Sequence, residues 1–180
     1  MKELSVRNVI ISKQGEESEN FQKFKEIIKD KKIKVQVVNK GDKLQIDRNV
    51  YFDILWPDNS KLMGENVLNN NSIVCKLHYK NFSILFTGDI EEIAEKEILK
   101  EYKENSNLLK ATIIKVPHHG SKTSSTQEFL EAVNSSFALI GVGKNNTFGH
   151  PNDEVIDRLK SLRYKNIQNW WNGRNFNNSK

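Results

Sequence analysis

The sequence has little of what would mark a secreted, membrane-spanning or cysteine-chemistry protein. One cysteine, Cys75, stands among 180 residues, so no internal disulfide framework is possible. It lies in the alternating segment SIVCKLHY, where a lone thiol reads as a small core residue rather than a nucleophile or ligand. The longest apolar runs, such as ATIIKV and SILF, fall far short of the ~18 residues a membrane span requires. The opening stretch MKELSVRNVIISKQ has neither the apolar core nor the cleavage site of a signal peptide, so the expectation is a chain with no membrane segment, cytoplasmic as given. Neither sign of charge dominates: the formal net charge is +5, and Lys-rich KDKKIK reads first as a solvated helix end, giving nucleic acid only weak support. Histidine is scarce too, with four residues, His78, His118, His119 and His150.

What is present is an ordinary globular composition, 37 % hydrophobic and 28 % charged, in a length suited to one domain with a real core. No internal repeat or domain boundary is visible. Alternating and β-branched runs predict strands at Val6–Ser12, Ile33–Val38, Val50–Trp56, Ser72–Tyr79, Phe82–Phe86, Thr112–Val116 and Ala138–Val142. Helical spacing of Phe21, Phe24 and Ile28, of Ile90, Ala94, Ile98 and Leu99, of Phe129, Leu130 and Val133, and of Val155, Ile156, Leu159 and Leu162 predicts four helices. A short YKN turn at Tyr79–Asn81 suggests a hairpin, and the intervening helices suggest crossovers in a mixed sheet, so the expected class is a layered α/β sandwich. The polar, turn-rich segment Pro57–Ser72 is long enough to suggest a functional loop. The last stretch, NIQNWWNGRNFNNSK, begins like a strand and ends as a polar tail.

Three strand-end loops carry residues suited to chemistry. Asp89 follows FSILFTG, where a buried strand ends and Gly88 permits a sharp turn. Taken alone, it reads as the N-cap of the helix that begins directly afterwards at Ile90. In VPHHGSKTSS, Pro117 blocks the strand, and two imidazoles precede Gly120 and a row of hydroxyl and amine groups. Two adjacent histidines at a strand end favour a site, because neutral imidazole suits zinc or manganese and a carboxylate can bridge two cations. GKNNTFGHP, Gly143–Pro151, supplies the third loop, in which His150 reads equally as a substrate-side acid or phosphate contact and as a turn residue. His78 lies within a strand pattern and reads as structural.

Together these loops resemble the metallo-β-lactamase-fold domain of ComEC-type competence proteins, the DNA-uptake channel family. The resemblance rests on NNNSIVCKLHYKNFSILFTGDIEEIAEKEIL, LKATIIKVPHHGSKTSSTQEFLEAV and VGKNNTFGHPNDEVIDRL, and runs from about Val6 to Leu162. It implies an αββα sandwich of which this chain, residues 1–180, holds only the C-terminal half, in one partial domain. It implies that Asp89 is a bridging metal ligand and His119 a second ligand for a divalent metal, zinc or manganese. His118 and His150 would be the catalytic residues beside a phosphate, with Ser121 and Lys122 near the substrate. The family's HxHxDH signature is absent from the sequence, so the resemblance also implies weak or absent metal binding and no turnover by this chain alone. A complementing chain that supplies the N-terminal half, or self-association, would follow, because half a sandwich leaves apolar faces uncovered. Residues 167–180 diverge from the family: Asn169 and Trp170 stand where a Thr-Asp pair is expected. Full-length members of this family are membrane proteins.

The function so implied is part of a metal-dependent phosphodiesterase or nuclease, acting on DNA or another phosphodiester. One alternative is a non-catalytic nucleic-acid-binding module that uses Lys122, Lys144 and Trp170 or Trp171 for phosphates and stacking. Another is a metallo-hydrolase of small phosphoesters.

Overall fold

The computed structural model describes residues 5–13, 18–143, 146–169 and 174–176. The elements run in the order β1 (Asn8–Ile11), α1 (Glu19–Asp30), β2 (Lys34–Val37), β3 (Lys43–Asp47), β4 (Val50–Trp56), α2 (Val67–Asn70), β5 (Val74–Tyr79), β6 (Phe82–Phe86) and α3 (Glu92–Glu101). They continue as β7 (Ile113–Lys115), α4 (Gln127–Val133), β8 (Phe137–Ile140), α5 (Asp153–Ser161), β9 (Lys165–Asn169) and β10 (Arg174–Phe176). Eight strands form one sheet in the order β10-β9-β8-β7-β6-β5-β4-β3. From β3 to β6 the strands run antiparallel, and the expected YKN hairpin joins β5 to β6. From β6 to β9 they run parallel. A parallel step needs a crossover, and α3, α4 and α5 provide the three. Because the strand order is sequential and such crossovers share one hand, the helices lie on a single face of the sheet.

The register decides which residues they cover. Leu85 pairs with Ile114, and Ile114 with Ala138, so these three share a face and are fully buried. Against them pack Ala94 and Ile98 of α3, Phe129, Leu130 and Val133 of α4, and Val155 and Leu159 of α5, in one continuous core. Each such Leu or Ile contributes about 1.5–3 kcal/mol by leaving water, so this helix-covered layer supplies most of the stabilisation. One residue along each strand, the pleat turns Ile84, Phe86, Ile113, Phe137 and Leu139 to the opposite face, where they are only half-buried.

Two large buried aromatics place their polar atoms on backbone carbonyls. The Trp56 indole donates to the Asn70 carbonyl at 2.7 Å, and the Tyr164 hydroxyl donates to the Leu130 carbonyl at 2.8 Å. Burial pushes the Tyr164 phenol up to about 12 and the Cys75 thiol up to about 11, so the thiol is inert at neutral pH. His78 sits within β5, its Nε2 2.9 Å from Asp53 and its ring stacked on Tyr51. That is a structural setting, and the residue lies on a strand rather than at a strand end.

Two differences from the sequence reading have local causes. The strand β3 was not expected, because KLQID is polar and exposed; it is an edge strand pinned by pairing to β4. The helix α3 begins at Glu92 with Glu91 at its N-cap, two residues later than expected, so Asp89 is not the cap. Neighbouring loops supply what a capping Asp89 would have given: the Asn70 side-chain oxygen accepts from the Glu91 N–H at 3.0 Å, and the Thr123 carbonyl accepts from the Glu92 N–H at 2.8 Å.

The strands β1 and β2 form a separate parallel pair joined through α1. Ser18 caps α1 by accepting from the Phe21 N–H at 3.2 Å, yet α1 has no buried residue, and Ile27, Val35 and Val37 are exposed. Among the described residues, no helix is long and apolar enough to cross a membrane. Lys144, Trp170 and Trp171 lie outside the described residues.

Candidate functional site

The carboxyl ends of three adjacent parallel strands, β6, β7 and β8, lead into the three loops singled out in the sequence. Such an edge is the usual ligand position in open α/β sheets. After β6 the chain turns at Gly88, with φ +56°, where an added Cβ would lie 2.5 Å from Ser72 Cβ. This close approach lets the Ser72 hydroxyl accept from the Asp89 N–H at 3.2 Å, fixing the backbone from which the carboxylate reaches His119 and Lys115.

After β7, Pro117 is followed by three successive residues of positive φ: His118 at 45°, His119 at 56° and Gly120 at 80°. A non-glycine residue held there costs roughly 1–3 kcal/mol, and it persists only where its surroundings over-determine it. Here they do. The His118 N–H donates to the Gly88 carbonyl at 3.2 Å, the Ser121 N–H to the His118 carbonyl at 2.9 Å, and the Asn152 N–H to the Gly120 carbonyl at 2.9 Å. The third loop is braced by Asn146, whose side chain accepts from the His150 N–H at 3.0 Å and donates to the His150 carbonyl at 2.8 Å.

These constraints bring Asp89, His118, His119 and His150 together. Asp89 Oδ1 lies 3.7 Å from His119 Nε2. His119 Nδ1 is 2.5 Å from the Gly141 carbonyl, an acceptor, so Nδ1 donates there and Nε2 is the nitrogen turned toward Asp89. The His118 and His150 ring centroids are 5.8 Å apart, and those of His118 and His119 6.5 Å. Burial, and then the neighbouring His118 and His119, hold the His150 imidazole below its usual range, so it is neutral at pH 7. The Nδ1 atoms of His118 and His150 are buried without a hydrogen-bond partner.

Ser121 and Lys122 are placed differently. The Ser121 side chain is buried, and its hydroxyl is engaged in the turn with the Thr123 hydroxyl at 3.0 Å and the Thr123 N–H at 3.3 Å. Lys122 opens on a separate groove of about 570 Å3, shared with Glu65, Glu91, Glu92 and Lys96.

Two residues not singled out in the sequence belong to the site. Glu91, whose Oε1 is 3.4 Å from His118 Nδ1, is fixed by the Asn66 side chain, which donates to it at 2.6 Å. Lys115 is the last residue of β7; its ammonium donates to the Gly88 carbonyl at 2.8 Å and lies 3.6 Å from Asp89 Oδ1. Burial lowers its pKa. Lys115, His119, Phe148 and His150 line a pocket of about 400 Å3 together with Gly141, Val142 and Gly143. In sequence, Glu91 resembled one more acidic residue of a helix start. The signal for Lys115 was a lysine interrupting an apolar strand one residue before its end.

Two ligands of a tetrahedral zinc stand about 3.4 Å apart, close to the Asp89–His119 separation, and His119 presents the correct nitrogen. Yet among the described residues no group of three or more His, Cys, Asp or Glu side chains could hold a metal ion. Among the described residues, Asp89 and His119 fit one edge of a coordination shell.

No protein-family model matches the chain. It is similar over 173 residues, 96 % of its length, to ComE operon protein 3 of Bacillus subtilis at 28 % identity. Over 115 residues it is 37 % identical to the uncharacterized protein YcaI of Escherichia coli, and over 112 residues 30 % identical to competence protein ComA of Neisseria gonorrhoeae. The aligned region is 21 %, 14 % and 15 % of these proteins, so the chain spans about a fifth or less of the relatives it matches. The chain is therefore related to one segment of much longer proteins, among them competence proteins.

Proposed function

We propose that this chain is part of a metallo-β-lactamase-type hydrolase domain of competence proteins, acting on a phosphodiester such as DNA. The observation that carries this reading is the convergence of Asp89, His119 and His150 from three adjacent strand ends, with His119 held in the tautomer a metal ligand needs. In this reading Asp89 and His119 bind the cation, zinc or manganese, and the remaining ligands come from an HxHxDH segment that this sequence does not contain. Such a cation would supply Lewis-acid activation of water. His118, with the Glu91 carboxylate beside it, and His150, on the loop braced by Asn146, face the phosphate. Lys115 offers a positive charge beside it. Lys122 meets the strand farther along, and Ser121 shapes the turn that carries both histidines. The similarity to named competence proteins supports nucleic acid over small phosphoesters.

The test combines metal content by mass spectrometry with cleavage of labelled DNA in manganese or zinc. Alone, the chain should carry well under one metal per molecule and cleave little. With a polypeptide bearing the HxHxDH segment, it should approach stoichiometric metal and cleave in an EDTA-sensitive manner, and Asp89→Ala should abolish both. An Asp89→Ala protein that keeps full metal content refutes the site. DNA binding that falls steeply with salt and ignores EDTA would make the chain a binding module instead.

A further inference from the structure

Among the described residues Phe148 has the greatest exposure of the large apolar side chains, 80 %, and it lines the 400 Å3 pocket. Its ring is nearly parallel to the His150 imidazole, at 18° with centroids 6.0 Å apart, so the braced loop presents a flat aromatic face. Gly141 and Gly143 carry no side chain into the pocket, and Val142 adds apolar wall. The Lys115 ammonium and the His119 imidazole line the same pocket. A pocket that combines apolar walls, an aromatic plate and a cation fits a ligand that joins a planar ring to an anion. A nucleotide has that chemistry, and the pocket is large enough for a nucleobase.

We propose that Phe148 is a stacking platform for an unpaired nucleobase next to the phosphodiester at Asp89 and His119. The pocket thereby selects single-stranded nucleic acid. A base inside a duplex is covered on both faces by its neighbours and reaches such a platform only after unstacking, whereas a single-stranded base has a free face. Stacking on one aromatic side chain tolerates any base, so the preference is for strandedness and not for sequence. This inference rests on the phosphodiester reading above.

Binding tests it without turnover. A fluorescein-labelled five-residue thymidine strand is compared with an abasic strand of equal length and charge, by anisotropy at fixed salt. The intact chain should bind the thymidine strand roughly tenfold more tightly. Phe148→Ala should bring the two affinities together by weakening only the thymidine strand, and Phe148→Trp should restore the gap. An unchanged melting temperature in both variants shows that folding is intact. Equal binding of both strands by the intact protein, or a gap that survives Phe148→Ala, overturns the base platform while leaving the phosphodiester reading in place. Failure to bind either strand overturns both.

Discussion

Gly120 joins two of the three site loops, and replacing it with alanine should show how tightly they are coupled. Its φ of +80° disfavours any side chain, and an added Cβ would lie 2.8 Å from Pro151 Cβ and 3.2 Å from Pro151 Cα. The backbone conformation alone costs about 1–2 kcal/mol. Displacing the proline ring adds about 1–3 kcal/mol of overpacking, because its backbone is tied to Gly120 by the Asn152 N–H. For a chain of this size each kcal/mol lowers the melting temperature by roughly 2–4 °C, so Gly120→Ala should melt about 5–15 °C lower. Gly41→Ala provides the control: its φ is +91°, and nothing lies within 4 Å of its added Cβ, so only the backbone cost applies. Thermal unfolding followed by circular dichroism measures both variants. If they fall by the same amount, the loops are not in the close contact described and the His118–His150 juxtaposition loses its structural basis.

Glu95 offers a pH test. It is fully buried, accepts from the Ser125 N–H at 2.5 Å and the Thr126 N–H at 2.8 Å, and is pushed by burial from 4.5 to about 7. The folded protein then holds a proton between pH 4.5 and 7 that the unfolded chain has released. This contribution to stability is complete below about 4.5, is lost by up to about 3 kcal/mol as pH rises through 7, and is flat above. Urea denaturation should show that Glu95→Gln removes this decline; an identical slope in wild type and variant would contradict the assignment. Asn71 is likewise buried, accepting from the Met63 N–H at 2.8 Å and donating to the Met63 carbonyl at 3.0 Å and the Val67 carbonyl at 2.8 Å. Asn71→Ala strands these groups, so it should cost roughly 2–4 kcal/mol and expose residues 57–72 to limited proteolysis, whereas protection equal to wild type would refute a bracing role.

The sequence was most informative where one local rule governed a segment. The helices α3, α4 and α5 and the strands flanking the YKN turn were legible because their periodicity is determined by the core they build, whereas α1 shows the same periodicity with no residue buried. So were the three loops, since glycine, proline and histidine at a strand end each answer a specific backbone or chemical demand. The strand β3 was not legible, because an exposed edge such as KLQID is created by its partner and not by its own pattern. Asp89 was read as a cap because local sequence does not reveal that Asn70 and Thr123, distant along the chain, already meet the needs of α3. The same limitation hid Glu91 and Lys115. Their importance comes from facing His118 and Asp89, and both contacts depend on how adjacent strands align.

Lys115 bears directly on why the donors of this chain should hold a divalent cation weakly. Asp89 Oδ1 is shared between the His119 nitrogen, at 3.7 Å, and the Lys115 ammonium, at 3.6 Å. The ammonium therefore already balances the carboxylate. Two unit charges 4 Å apart repel by about 4 kcal/mol at an effective dielectric constant of 20, and a divalent ion doubles that. The Asp89 carboxylate attracts the same ion at closer range, so the ammonium cancels part of that attraction without reversing it. Carboxylate and imidazole ligands from an HxHxDH segment would shift the balance, and the ammonium, no longer needed by Asp89, would then face the phosphate. The same lysine thus weakens cation binding in the isolated chain and favours an anion in the completed site.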